Sequence, residues 1–207
     1  MIRKIEGLYF CADYGASEIT ERIVTEIADR LDKLLPEKLD RACFDIPLHA
    51  TKGDLNFDCD SLVVICVPVI KNKVPLPCAR LLQRLHSKGS MAVAVINYKG
   101  ASYGQTLFNL YSFLEGQGFN VISAAAFVSH PVRGRVFSKL EKTRPDDKDL
   151  EKFKTFGALT TSKLKRLIGT EVDCLKVKPA PLDIACRSAL VVKVVHIVKR
   201  REPEWFL

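Results

Sequence analysis

The chain has 207 residues, of which 47% are hydrophobic and 27% charged, and Lys and Arg exceed Asp and Glu by 32 to 24 for a net charge of +8. That supports one good-sized domain with a real core, plus an appendage. It excludes a membrane-spanning helix, since no apolar run reaches the required length, and "MIRKIEGLYF" lacks the apolar stretch of a secretory leader.

Cysteines stand at Cys11, Cys43, Cys59, Cys66, Cys78, Cys174 and Cys186, with no C-x-x-C pair. The usual spacing of zinc and iron–sulfur ligands is therefore missing. An odd number of thiols, one inside an apolar run, fits a reduced cytoplasmic protein better than a disulfide framework.

Apolar runs alternate with helix-period segments along the chain. "IEGLYFCA" (Ile5–Ala12) reads as a first strand. "SEITERIVTEIADRLDKLL" (Ser17–Leu35) places Ile19, Ile23, Ile27 and Leu31 four apart on one face of a helix, with Ser17 as N-cap and Pro36 as stop. "RACFDI" is a short second strand. "SLVVICVPV" (Ser61–Val69) is apolar throughout, as a central parallel strand covered on both faces must be. "LPCARLLQRLHSKG" reads as a short helix closed by Gly89, and "MAVAVINY" (Met91–Tyr98) as a fourth strand.

"YGQTLFNLYSFLEGQG" aligns Leu107, Leu110, Tyr111 and Leu114 and ends at Gly116 or Gly118. "FNVISAAAFV" (Phe119–Val128) is the fifth strand, and "DDKDLEKFKTFGALTTSKLKRLI" a long last helix. Five strands alternating with helices predict a doubly wound five-stranded parallel sheet over residues 1–169, with residues 170–207 as a C-terminal extension. That extension carries three prolines and a β-branched run; its pattern fits a strand pair or a helix equally.

Ligands of such a sheet sit beyond the carboxyl ends of the strands, where strand order reverses. Three loops leave strands there: Ala12–Ser17, Pro68–Pro75 and Asn97–Tyr103. The first offers Gly15 and Ser17 at a helix N-terminus, where free amides and the helix dipole favour a phosphate. A plain turn and cap is the competing reading. The second, "PVIKNKVP", is basic between prolines. The third, "NYKGASYG", sets two tyrosines beside glycines and suits a flat ring.

Three stretches resemble the flavodoxin-like family, and most closely the flavodoxin domain of bacterial flavodoxin–ferredoxin fusion proteins. "PVIKNKVPLP" is similar to that group's P-V-Y-x-G-x-V-P loop. "NYKGASYGQTLFNLYSFLEGQGFNVISAAAFVSHP" is similar to its Tyr-rich loop, helix and strand. "RPDDKDLEKFKTFG" is similar to its Arg-Pro-Asp start of the last helix. The resemblance runs from about Ile5 to Leu167 and implies a flavodoxin fold with FMN as cofactor. It places Asp13, Tyr14, Gly15, Ala16 and Ser17 at the phosphate, Pro68, Val69, Ile70 and Asn72 along one ring face, and Asn97, Tyr98, Gly100 and Tyr103 along the other.

Departures from the pattern bear on chemistry. The family phosphate loop is rich in hydroxyls, whereas here only Gly15 and Ser17 keep the residue type and Asp13 introduces an acid. A unit-charge pair 4 Å apart repels by roughly 4 kcal/mol at an effective dielectric near 20. Ile70 stands where the family stacks a tyrosine, and Lys99, Gly100 and Ala101 replace Gly-Asn-Arg. The ferredoxin half has no counterpart, so electrons would come from a separate partner such as a ferredoxin or a reductase.

The resemblance therefore implies an FMN-dependent electron-transfer protein or oxidoreductase. The alternative is a flavodoxin-fold interaction module that has lost FMN. Nucleic-acid binding would rest on net charge alone. His130 ends the fifth strand at the same edge, with no nucleophile or carboxylate assignable beside it, and reads as structural. Lys71 and Lys73 read as solvated loop charges, Cys11 and Cys66 as core residues. A homodimer stays open.

Overall fold

A computed structural model of the chain describes residues 2–10, 16–45, 53–98, 103–128 and 147–169. Chain order is β1 (Lys4–Tyr9), α1 (Ala16–Leu31), β2 (Asp40–Asp45), β3 (Leu55–Phe57), β4 (Ser61–Val69), α2 (Leu76–Leu82), β5 (Leu85–Ser87), β6 (Met91–Tyr98), α3 (Thr106–Gly116), β7 (Asn120–Val128) and α4 (Asp147–Gly169). The main sheet has the order β2-β1-β4-β6-β7, and every pairing in it is parallel.

β4 lies at the centre, and all nine of its residues are buried. Its alternation divides the core into two layers. Val63, Ile65, Val67 and Val69 pack with Cys78, Ala79, Leu82, Leu107, Leu110 and Leu114 of α2 and α3. Leu62, Val64 and Cys66 pack with Ile19, Ile23, Ile27 and Leu31 of α1 and with Phe153, Phe156 and Leu164 of α4. The aligned apolar stripe of α1 is thus the face it buries.

α1 comes unusually close to the sheet at Gly7. A Cβ there would stand 2.7 Å from Thr20 Cγ2 and 2.8 Å from Cys43 Sγ, so only glycine fits. Between β6 and β7 the register skips Ile122, because Ala92 faces Val121 while Val93 faces Ser123. Such a bulge takes one residue out of the ladder. Lys163 of α4 donates from Nζ to the carbonyl oxygen of Ile122. Burial of that ammonium group pulls its pKa down from the usual lysine value.

The five expected strands form the main sheet, and the expected fold class is the observed one. Several boundaries differ. The segment from Leu76 to Gly89, expected as one helix, breaks after Leu82. The amide of Gln83 closes on Ala79 and that of Arg84 on Leu81, and the chain then extends as β5. β5 pairs in parallel with β3, a second small sheet that the expected architecture lacked.

α1 ends at Leu31, not Leu35. The amides of Leu34 and Leu35 both reach back to the Leu31 carbonyl, and Asp32 takes the Leu39 amide at 2.9 Å to lead the chain into β2. Ser17 was expected as the N-cap, but the helix already begins at Ala16, which puts Ser17 in its first turn. α3 begins at Thr106, not Tyr103, and Gly118, at φ 88°, is the glycine that turns the chain out of it. β1 ends at Tyr9. Cys11, Ala12 and the 170–207 extension lie outside the described residues.

Candidate functional site

β1 sits between β2 and β4, and the connections from β1 and β4 leave to opposite sides of the sheet. α1 covers one face and α2 the other. This divergence opens a crevice at the carboxyl ends of β1 and β4, the place where open α/β sheets take ligands.

The wall after β4 is a tight turn. Ile70 N donates to Lys73 O at 2.9 Å and Lys73 N to Ile70 O at 3.0 Å. The two central residues, Lys71 and Asn72, have φ of 50° and 63°. Two successive left-handed residues make a type I′ turn, normally built from Asn and Gly. A lysine in that region costs on the order of 1 kcal/mol, which the surrounding bonds offset.

Val69 and Val74 on either side are buried at 3% and 0% exposure and anchor the turn in the core. Ile70 projects outward at 36% exposure. Pro68 is buried beneath the turn, on the opposite side of the strand from Val69.

A second wall meets the first. Thr106, the first residue of α3, donates from Oγ1 to Asn72 O at 2.6 Å. Gly104 has φ 56°, and a Cβ on it would lie 3.3 Å from Asn72 Cβ. Tyr103 O accepts the amide of Thr106 at 3.1 Å, and the Tyr103 ring meets Tyr98 edge-on with centroids 5.0 Å apart. Burial, followed by the neighbouring Tyr98, pushes the Tyr103 phenol above its ordinary pKa. Asn97 is buried at 2% exposure one residue before Tyr98, in register with Pro68 and Phe127.

The third wall is the start of α1. Ala16 is wholly buried, and its carbonyl accepts the hydroxyl of Thr20 at 2.7 Å. Ser17 is half-buried beside it. Beneath α1, burial pushes the Cys66 thiol up to about 12. Cys66 is thus a core residue, as expected.

Ile70, Asn72, Tyr103 and Tyr98 are drawn together through Thr106 and Gly104. Val69 contributes its side chain to the core below them, and Pro68 is buried on the other side of the strand. Asp13, Tyr14, Gly15, Gly100, Lys99 and His130 lie outside the described residues. Gly104 and Thr106 were not singled out from the sequence. The available signal was a threonine just ahead of an apolar helical run, a common helix start. Among the described residues no group of His, Cys, Asp and Glu is arranged to hold a metal, and no helix is long and apolar enough to cross a membrane.

No family model and no curated protein matches the chain. Solved structures do. An NADH:FMN oxidoreductase in its apo form is similar at 12% identity and TM-score 0.52, over 78% of this chain and 89% of that one. An oxidoreductase from Corynebacterium diphtheriae is similar at 13% identity and TM-score 0.52, over 83% of this chain and all of the other (100%). RosB with bound 8-demethyl-8-formylriboflavin-5′-phosphate is similar at 11% identity and TM-score 0.50, over 97% and 100%.

At these identities the likeness concerns architecture. The main-sheet order, renumbered within that sheet, is 2-1-3-4-5, which distinguishes this fold from the nucleotide-binding order 3-2-1-4-5-6. The fold is flavodoxin-like. Its switch-point crevice is the one bounded by Ala16, Ile70 and Tyr98.

Proposed function

We propose that the protein holds FMN non-covalently in this crevice and serves in electron transfer or flavin-dependent oxidoreduction. The carrying observation is the clamp between the Ile70–Lys73 turn and the start of α3, which stands at the switch point with an apolar side chain facing out. Two solved structures of similar fold are described by flavin chemistry in their own names, which favours the same ligand class here.

The residues suit the group in most respects. Ile70 offers an aliphatic surface to one side of a flat ring, and Tyr98 and Tyr103 offer an aromatic pair to the other. The first-turn amides of α1, at Ala16 and Ser17, suit a phosphate. Bound flavin would accept and pass on one or two electrons, while the chain supplies position and a low-dielectric surrounding. The reductant would be a separate protein or a nicotinamide.

A second reading, an interaction module without cofactor, is favoured by two residues. The family resemblance aligns Asp13 with a phosphate-loop position, where a carboxylate would repel the phosphate, and Ile70 offers no aromatic stacking. Absorbance of freshly purified protein, followed by titration with FMN, decides between them. Flavin bands, or a spectral shift at micromolar protein, support the first reading. An unchanged spectrum for both wild type and Asp13→Thr rejects it and leaves the module.

A further inference from the structure

Charge is divided along this chain in a way its net value conceals. Residues 61–114 contain no Asp or Glu, while Lys71, Lys73, Arg80, Arg84, Lys88 and Lys99 fall within them; residues 1–60 are net acidic. The fold concentrates this window in β4, the turn after it, α2, β6 and α3. Among the described residues no acid pairs with Lys71, Lys73 or Arg80. Arg84, beyond the far end of α2, pairs with Asp54 at 3.9 Å and donates to the Gly53 carbonyl.

Beside the crevice mouth the same stretch exposes apolar groups. Ile70 is 36% and Leu76 41% exposed, and Lys71, Pro77 and Arg80 are also exposed. Ile70 is bridged to Lys73, and three residues span at most about 11 Å, so Leu76 lies close to the turn. An apolar centre ringed by charge of one sign is the anatomy of a protein-docking patch, in which the centre supplies adhesion and the rim supplies orientation and rate.

We propose that this face, formed by Ile70, Lys71, Lys73, Leu76 and Arg80, docks an acidic one-electron carrier protein and brings its redox group to the crevice. The inference rests on the flavin reading for its purpose, though not for the contact itself. The aliphatic character of the patch favours a protein over nucleic acid, since single-stranded nucleic acid is gripped by aromatic side chains interleaved with cations. α3, which packs on the same face of the sheet as α2, adds no charge from Thr106 to Leu114.

The test uses the full-length protein with a strongly acidic [2Fe–2S] ferredoxin as probe, in calorimetric titrations at low and moderate salt. Wild type is expected to bind at micromolar concentration and to weaken about tenfold over a salt range that shortens the Debye length below roughly 8 Å. Lys71→Glu with Lys73→Glu, and separately Arg80→Glu on α2, should each weaken binding about tenfold, and Leu76→Ser severalfold. Charge reversal at exposed Lys148 and Lys154 of α4 should leave it within about twofold.

Absence of binding by wild type, or equal loss on reversal in α4, overturns the proposal. So does a single-stranded oligonucleotide that binds in place of the ferredoxin and is released by the Lys71 and Lys73 changes. Flavin absorbance is recorded on the same samples. Docking without flavin would sink the cofactor reading alone, and flavin without docking would sink the docking face alone.

Discussion

Thr106 Oγ1 donates to Asn72 O at 2.6 Å, and that bond joins the turn after β4 to the start of α3. The threonine is 1% exposed, so the hydroxyl has no competing water. Thr106→Val keeps the shape and removes the donor. It should cost about 1 kcal/mol and release the turn. Hydrogen exchange reads this directly: the Ile70 and Lys73 amides, bonded to each other's carbonyls, should exchange faster in Thr106→Val and near the wild-type rate in Thr106→Ser.

Two glycines at the end of α3 should respond in opposite directions. Gly116 is the last helical residue, and a Cβ there meets nothing within 4 Å. Gly116→Ala should stabilise by about 0.5 kcal/mol through helix propensity and a stiffer unfolded chain. Gly118 has φ 88°, and its Cβ would lie 2.2 Å from the backbone oxygen of Ser87. Gly118→Ala should cost at least ~2 kcal/mol, because neither the backbone angle nor the neighbouring carbonyl can yield. Urea midpoints of the two variants measure both effects.

The same helix end shows what the sequence discloses and what it withholds. Two glycines two residues apart both satisfy a stop signal, and only the packing against Ser87 selects between them. The long apolar strands were legible because β4 and β6 are buried on both faces and so read as near-continuous apolar runs, with Ser61 and Asn97 as polar residues only near their ends. β3 and β5 were not. Each has three residues, with Asn56, His86 and Ser87 among them, too short and too polar for a period to show.

Cys78, Leu81, Leu82 and Leu85 also mimic one helical stripe, although Leu85 is already strand. At the crevice, the loop positions followed from strand order. The clamp did not, since a hydroxyl-to-carbonyl bond between residues 34 apart leaves no local mark.

Asp32 should set part of the acid limit of stability. Its carboxylate accepts the Leu39 amide at 2.9 Å and also pairs with Arg41. The Leu39 bond, ahead of Arg41, holds its pKa below the usual aspartate value. The unfolded chain therefore binds the proton first. This contribution is complete above the unfolded value of 3.8 and is lost as pH falls through the lower folded one. Asp32→Asn should be less stable near neutrality and lose less between about pH 4 and pH 2, as denaturant melts across that range would show.

Thiol chemistry should separate Cys66 from Cys59. Cys66 is wholly buried with its thiol pushed up to about 12, whereas Cys59 is exposed in the turn before β4. Only a thiolate attacks an aromatic disulfide reagent. At pH 8 Cys59 should label within minutes, and Cys66 only after denaturant is added. Peptide mapping that found Cys66 modified in the native protein would contradict this burial.

Ile70 is the position where the crevice can be strengthened without disturbing the core. It is 36% exposed, while the side chains that hold its turn are Val69, Val74 and Thr106. A larger ring at position 70 extends into the open mouth and leaves those contacts in place. Ile70→Tyr would add a stacking surface worth about 0.5–1.5 kcal/mol if a flavin ring lies there. FMN affinity should then rise by a factor of about 2 to 10. If Asp13 stands at the phosphate, as the family resemblance implies, Asp13→Thr should raise affinity about tenfold or more by removing a like charge. The two sites lie on different loops, so their effects should multiply in the double variant. Fluorescence quenching titrations of the four proteins test this, and a double variant no tighter than either single one would show that the ring and phosphate do not occupy these two places together.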